Sequence, residues 1–600
     1  MERTTDEVRP AKFEGVTAES VRPSSLIPSK RLSLAVMSLA ALLYCVWILS
    51  LPVFPTQDGP VHLYYARVME ALLFQHDPGV LPHFYTIKHM LPPYATYYYL
   101  LIAFGHFVPL VVADKLVICV YIVLFLFGLR YLAVGLGPSG NAVSMLAIPF
   151  ALNWALGRGY VNFCLSLALG LWMLGLWCRV ALQPSRPLNG IRLCGFLTMA
   201  IVAALTHPVP LILVLSFCVL ELAIRVLRSW QAKEELFPRS LRHCVLAALL
   251  ASATMLYVGG FTTAHLTHQS DPEHPTYLGK MLDIIDDIED FNTVDFLSFS
   301  PDSILSMVRR VSLFAIFFGS VMIAWTEMRR NNRVGSWRLV DTWLMLALAL
   351  WLLVPVLPPE ISGARAFSQR LTIFPVLAAL AAASGSMIPP LPRRLVRIAG
   401  CEVVPYALAG MVLLGITLVR AQAVIAPIAR ESAQLENLPQ LRPGVYLLLL
   451  DENFGSELDL GHYQKDPGAV TYNPFLWNAA RAIRSSGSIL YDPPWLDHAF
   501  IPIGTQPALK NDAFDLVSLE NEKILRQRLM NSGKARESVL SQVDGVIIEH
   551  GMFPAPSAVD PLLAADATTG RGWSCHKEAS LLVCVPTVAR GTSQPGLRLP

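Results

Sequence analysis

The chain has 600 residues, 54% of them hydrophobic and 15% charged, with 47 basic and 44 acidic side chains for a formal net charge of +3. Soluble domains carry about 25% charged residues, so this composition excludes an ordinary soluble globular protein. The total charge decides nothing further, but its distribution along the loops does.

Residues 1–31 read as a polar cytoplasmic tail. The apolar run at 32–53 is too long for the core of a cleaved signal, and no small-residue cleavage site follows it, so it is expected to remain as an anchor. A bilayer core of about 30 Å takes about 20 apolar residues per helix. By that measure the chain to residue 422 holds eleven spans, near 32–53, 113–133, 141–156, 162–178, 193–207, 209–226, 243–261, 308–326, 340–357, 371–388 and 401–420. The third and fifth are short enough to be re-entrant.

With the N-terminus in the cytoplasm, the inner loops carry Arg179, Arg186 and Arg192; Arg225, Arg228, Lys233, Arg239 and Arg242; Arg329, Arg330, Arg333 and Arg338; and Arg393, Arg394 and Arg397. The long outer loop from Thr262 to Ser303 has Lys280 as its one basic residue. Because orientation follows Lys and Arg, this asymmetry fixes the expected sidedness. Counting Pro92 to Val108 as a span would invert it. That stretch, with Tyr94, Tyr97, Tyr98 and Tyr99, is therefore expected to lie in the interface with wet hydroxyls, the alternative being an ordinary span.

Just after the first span comes Phe54-Pro-Thr-Gln-Asp58-Gly-Pro-Val-His62. A carboxylate here can accept a proton or hold a divalent ion, or Asp58 can simply cap the following helix. His62, four residues on, shares its helical face and reads as ligand, proton carrier or interfacial histidine. In Gly157-Arg158-Gly159-Tyr160 the guanidinium can grip a phosphate or snorkel to headgroups, with Asn153, Tyr160 and Asn162 close by in sequence. His207 sits in a turn before Pro208, as a proton carrier or merely solvated.

His265 and His268 start a loop whose acids they could pair. Leu282 to Phe291 reads as an amphipathic surface helix with an acidic face, and Arg309 and Arg310 as a helix end or a lipid-phosphate contact. Gly363 to Pro375 places Arg365 and Arg370 at the outer mouth of a span. Two fixed cations beside an apolar groove suit a polyprenyl phosphate.

Residues 423–600 turn polar and read as a small extracytoplasmic α/β domain, with β-like runs at Val445 to Leu450, Val543 to Glu549 and Ser580 to Val585 and a helical piece from Pro474 to Arg484. Cys575 and Cys584 flank one such run and suit a disulfide in an oxidising compartment, two free thiols being the alternative. No zinc-type motif and no phosphate-cradling glycine loop occurs, which argues against zinc and ATP.

Asp58 in the first outer loop, the Pro92-Pro93 entry to an interfacial helix, Arg130 near the inner end of the next span, and Arg365 and Arg370 before Pro375 together resemble the GT-C superfamily of polytopic glycosyltransferases. That superfamily includes the protein O-mannosyltransferases and the aminoarabinose transferases. The resemblance covers roughly residues 32 to 390. It implies an α-helical polytopic membrane protein of about 11 helices with a C-terminal outer domain. Its implied activity is transfer of a sugar from a polyprenyl-phosphate donor to an acceptor at the outer face of the inner membrane.

In that reading Asp58 is the base or the ligand of a divalent cation such as Mg or Mn, and His62 and His207 are catalytic partners. Arg158, Tyr160, Asn162, Glu360, Arg365 and Arg370 bind substrate. Many members pair two acids in the first loop, whereas Gln57-Asp58-Gly59 offers one, which Glu360 would complete if the fold brings it near. Membrane lipids and a lipid-linked sugar are the expected partners, and nucleic acid is not. A transporter or flippase of a lipid-linked or anionic substrate and a non-catalytic assembly protein stand as alternatives.

Overall fold

The computed structural model describes residues 26–56, 58–75, 81–137, 139–182, 190–231, 239–265, 304–332, 339–357, 367–386 and 403–434, then 445–449, 488–490, 502–505, 540, 543–549, 572–578 and 581–587. The helices are α1 (Leu26–Ser50), α2 (Gly59–Phe74), α3 (Leu81–Phe84), α4 (Ala95–Gly105), α5 (Leu110–Leu136), α6 (Gly140–Val143), α7 (Trp154–Gly157), α8 (Val161–Leu182), α9 (Gly190–Thr206) and α10 (Pro208–Gln231). They continue with α11 (Arg239–His265), α12 (Ile304–Asn332), α13 (Leu339–Leu353), α14 (Phe367–Leu371), α15 (Ile373–Gly385) and α16 (Val404–Gln434). Among the described residues α1, α5, α8, α12 and α16 are long and apolar enough to cross a membrane, and α4, α9, α10, α11 and α13 are shorter apolar helices. In lipid every backbone group must be bonded internally, and helices are how one apolar segment achieves that alone.

Polar contacts at helix ends fix the directions. Lys115 near the start of α5 donates to the carbonyls of Leu49 and Leu51 at the end of α1, at 3.2 and 2.7 Å. Fifteen residues along the same helix, Arg130 reaches Ser33 Oγ at 3.2 Å, Lys30 O at 3.3 Å and Asn141 Oδ1 at 3.3 Å. Hence α1 and α5 run antiparallel. Helix α8 runs parallel to α5, with Trp172 Nε1 donating to Leu124 O at 3.0 Å and, farther along both helices, the Arg179 guanidinium 3.5 Å from the Tyr131 ring centroid. Glycine makes this contact close: a Cβ at Gly175 would stand 2.5 Å from Tyr131 Cδ1, and one at Gly128 2.8 Å from Trp172 Cδ1.

The segment expected as a short third span is a broken helix. It is made of α6, a 3-10 stretch Ser144–Ala151 containing Pro149, and α7. A 3-10 turn rises about 2 Å per residue, so the eight residues of that stretch cover about 16 Å, more than an α-helix would. Its first end is tied to the end of α15 by Ser139 Oγ donating to Ser386 O at 2.6 Å, and its last end receives the Asp58 N–H on Arg158 O at 3.1 Å. The short fifth segment is the uninterrupted helix α9, which ends where His207 meets Pro208, the residue before a proline being disfavoured in a helix. Helix α10 then starts on that proline, where the missing N–H costs nothing.

Helix α4 has 11 residues, about 16 Å, too short for a bilayer core. It lies across the ends of α2, α5 and α9, with the Tyr94 N–H donating to Leu205 O at 2.9 Å. Two of the four tyrosines, Tyr97 and Tyr98, correct the expectation of wet hydroxyls, whereas the Tyr99 hydroxyl bonds Met90 O at an exposed position. Tyr97 and Tyr98 are each 1% exposed, and their hydroxyls bond buried partners. Helix α16 runs on to Gln434, past the expected boundary at 422, and Trp47 Nε1 donates to Gln422 Oε1 at 3.0 Å, so the end of α1 lies beside the middle of α16.

Seven strands are described: β1 (Tyr85–Ile87), β2 (Val445–Leu449), β3 (Ser488–Leu490), β4 (Ile503–Thr505), β5 (Gly545–Glu549), β6 (Trp573–Glu578) and β7 (Leu581–Pro586). Five form a mixed sheet in the order β3-β2-β5-β7-β6, with β2 parallel to β3 and β5, and β7 antiparallel to β5 and β6. Cys575 and Cys584 are cross-strand neighbours in the β6–β7 hairpin and are joined by a disulfide. Strand β4 pairs antiparallel with β1, and the Lys88 N–H donates to Pro502 O at 2.8 Å. The C-terminal part is thus stitched to the loop that follows α2.

Candidate active site

The site begins where α1 has ended. Asp58 occupies the N-cap position of α2, because Gly59-Pro60 starts a helix readily, yet its side chain makes no capping bond. A carboxylate that caps would be spent on the N2 or N3 amide. This one is not, and among the described residues it makes no ion pair. It lies instead in the fields of Arg158 and Arg370. Burial pushes the carboxyl up to about 6 while those two cations pull it down.

The Arg158 turn reaches Asp58 because of Gly159. At φ +88° this glycine adopts a backbone that L side chains rarely take, and a Cβ there would stand 2.9 Å from Asp58 N and 3.1 Å from Asp58 Cβ. Gly159→Ala is expected to cost about 1–2 kcal/mol in backbone strain and to push the turn off Asp58. Thermal unfolding in detergent, read beside activity, checks it, and an unshifted melting temperature with full activity contradicts it. Arg158 itself lies over Trp154, 5.1 Å from the ring centroid.

Arg370 comes from α14, 7% exposed, with its guanidinium 3.7 Å from the Tyr160 ring centroid. Its Nε is buried without a hydrogen-bond partner among the described residues. Its Nη1 is 3.4 Å from His207 Nε2, and Tyr94 Oη is 2.6 Å from the same nitrogen. The other ring nitrogen, Nδ1, receives the Val209 N–H at 3.2 Å, so in the neutral ring the proton sits on Nε2. Burial, reinforced by Arg370, drives the imidazole well below its usual range.

His62 Nδ1 lies 2.8 Å from Tyr98 Oη, and burial lowers this imidazole to about 4. Tyr97, beside it, donates to Asp114 Oδ1 at 2.5 Å. Asn162 is committed to the backbone: its Oδ1 accepts from the Tyr97 N–H at 3.1 Å and its Nδ2 donates to Tyr94 O at 3.0 Å. Asn153 caps α7 by accepting from the Leu156 N–H at 3.2 Å, and it donates to Tyr121 Oη at 2.7 Å.

Asp58, His62, Arg158, Tyr160, His207 and Arg370 therefore gather at one face, from α2, the α7–α8 turn, the α9–α10 turn and α14. Glu360, Arg365, His268 and the acidic stretch from Leu282 to Phe291 lie outside the described residues, as does the Pro474 to Arg484 piece. Arg309 is not at the surface: it is 1% exposed and bonded to Thr417 Oγ1. Sequence reasoning missed Tyr94, Tyr98 and Asp114 as members of this polar cluster. An acid at the threshold of an apolar span was the available signal for Asp114, since such a group needs a partner.

Glu360, the acid expected to complete a divalent-cation site with Asp58, lies outside the described residues. Among the described residues no group of three His, Cys, Asp or Glu side chains could hold a metal, and the carboxylate present is flanked by two guanidinium groups. Two arginines with an unspent carboxylate instead make a receptor for an anion next to a proton acceptor.

No family model matches the chain, and no curated protein does. Solved structures are similar. ArnT from Cupriavidus metallidurans, in a structure bound to undecaprenyl phosphate, is 13% identical over 93% of this chain and 98% of its own, with a TM-score of 0.48. The arabinofuranosyltransferase AftD from Mycobacteria is 14% identical over 92% of this chain and 41% of its own, with a TM-score of 0.46. The Archaeoglobus fulgidus oligosaccharyltransferase AglB, in complex with an inhibitory peptide and a dolichol-phosphate, is 11% identical over 86% and 69%, with a TM-score of 0.41. At this level of likeness the chemistry rests on the residues of this chain.

Proposed function

We propose that the chain is a membrane glycosyltransferase that moves a sugar from a polyprenyl-phosphate donor to a nucleophilic acceptor at the membrane surface. The observation that carries this reading is the Asp58 carboxylate, without a capping bond and, among the described residues, without an ion pair, in the fields of Arg158 and Arg370 beside apolar helices. A lipid tail can lie along those helices while its phosphate meets the guanidinium groups. Asp58 takes the proton of the acceptor as the acceptor attacks the anomeric carbon. The bond from that carbon to the phosphate oxygen breaks, and polyprenyl phosphate leaves with its added negative charge held by the arginines. Eleven spans, a cytoplasmic N-terminus and an extracytoplasmic C-terminal sheet in an inner membrane complete the proposal. Arg365 would add a further cation, and Glu360 a further acid.

The test is incubation of the purified protein with a radiolabelled polyprenyl-phosphate sugar. Release of free polyprenyl phosphate together with labelled acceptor supports a transferase. Movement of the intact donor across a proteoliposome membrane without release would replace that reading with a flippase, and neither event would leave a non-catalytic assembly protein.

The pH dependence carries a sign. A carboxyl raised to about 6 is protonated below that value and cannot accept a proton, so kcat/KM should climb through about pH 6 and then level. Arg158 pulls this pKa down, so Arg158→Gln should move the limb to higher pH. A limb that stays in place, or moves to lower pH, contradicts Asp58 as the base.

A further inference from the structure

Tyr94 has φ +116° and is the one non-glycine residue with positive φ among the described residues. Unlike Gly159, it gains nothing sterically from that conformation, since a tyrosine there is held against its own preference. The holding contacts all come from neighbouring elements. Its N–H donates to Leu205 O at 2.9 Å, and its carbonyl accepts from Asn162 Nδ2 at 3.0 Å. Asn162 Oδ1 at the same time takes the Tyr97 N–H at 3.1 Å, which locks the start of α4 to the start of α8.

What this backbone achieves is the placement of one ring. The Tyr94 and His207 ring centroids are 4.6 Å apart, and Tyr94 Oη is 2.6 Å from His207 Nε2. The far side of the imidazole is fixed as well, by Val209 N–H on Nδ1 and by Phe163 edge-on at 5.3 Å, while Ser166 Oγ donates to the His207 carbonyl at 2.7 Å. Arg370 Nη1 stands 3.4 Å from the same Nε2, with the guanidinium over Tyr160. The protonated Nε2 and the guanidinium are both donors, so they do not bond each other. The phenol oxygen of Tyr94 is the acceptor that lies against both.

We propose that Tyr94 is a positioning residue: its left-handed backbone, clamped by Asn162 and Leu205, sets the phenol that with His207 fixes the Arg370 guanidinium for the phosphate of the lipid donor. The proposal rests on the polyprenyl-phosphate reading of the site. Tyr94 touches no reacting atom and acts through Arg370.

The experiment measures binding of a short-chain polyprenyl monophosphate, and of the matching polyprenol as a phosphate-free control, to the purified full chain. Tyr94→Phe should weaken monophosphate binding about tenfold, the loss of one hydrogen bond to a site built around a charge, and leave the polyprenol unchanged. In an Arg370→Ala background the same substitution should cost nothing further, which separates positioning from independent contact. Tyr94→Gly, which relaxes the backbone but removes the phenol, should bind the monophosphate no better than Tyr94→Phe. Wild-type affinity in Tyr94→Phe, or an equal loss with and without Arg370, overturns the proposal alone. Equal wild-type affinity for monophosphate and polyprenol overturns the lipid-phosphate reading and the proposal with it.

Discussion

Asp58→Asn is expected to lower the rate of sugar transfer by about 10²–10⁴-fold, the range a positioned general base contributes. Donor binding should change little, because the amide keeps the shape of the carboxyl and the arginines remain. Folding should also be preserved: the side chain caps nothing and pairs with nothing among the described residues, so the substitution leaves no bond broken. A detergent-solubilised variant with a wild-type melting curve and single-turnover rates near wild type would remove Asp58 from the chemistry. Loss of donor binding with an intact turnover rate would assign it to recognition instead.

Arg370→Ala has the opposite signature. A hydrogen bond to a charged group is worth about 1.5–3 kcal/mol, so the affinity for polyprenyl phosphate should fall about 10–100-fold. The variant also removes a cation that holds the Asp58 carboxyl down, so the rising limb of the pH profile should move above pH 6. Arg370→Lys should recover only part of the affinity, because an ammonium keeps the charge but not the planar fork or the stacking on Tyr160. Unchanged affinity in Arg370→Ala, measured by titration against labelled carrier, contradicts the assignment.

Much of the candidate site was legible because charge near a bilayer is costly. Asp58, Arg158 and Arg370 stood out as ionisable groups at the ends of apolar runs, and loop charge alone put them on one side. Contacts that join Lys115 to Leu49 and Arg130 to Lys30 set α1 and α5 antiparallel, as the first two expected spans require. Tyrosines resisted the same logic. An aromatic ring at a span end reads as interfacial by composition, and nothing in Tyr97 or Tyr98 itself announces that its hydroxyl will find Asp114 or His62 inside the protein.

Asn162 illustrates a second blind spot. As a polar residue beside Arg158 it reads as substrate-binding, whereas both ends of its amide are taken by the backbone of α4, a pairing between positions 65 and 68 residues apart that no local pattern carries. The pairing of β1 with β4 is longer in range still. It links the first loop to a strand more than 400 residues on, and Tyr64 Oη, which donates to Tyr85 Oη at 3.3 Å, connects that strand to the helix headed by Asp58.

The decisive measurement is proximity. Cysteines at 58 and 370 in native membranes, treated with a short methanethiosulfonate cross-linker and read by peptide mass spectrometry, should join in high yield, whereas a 58/130 pair should not. Failure of 58/370 to cross-link while 58/130 does would place the carboxylate and the guanidinium at different ends of the bundle and leave no common site for a phosphate and a base.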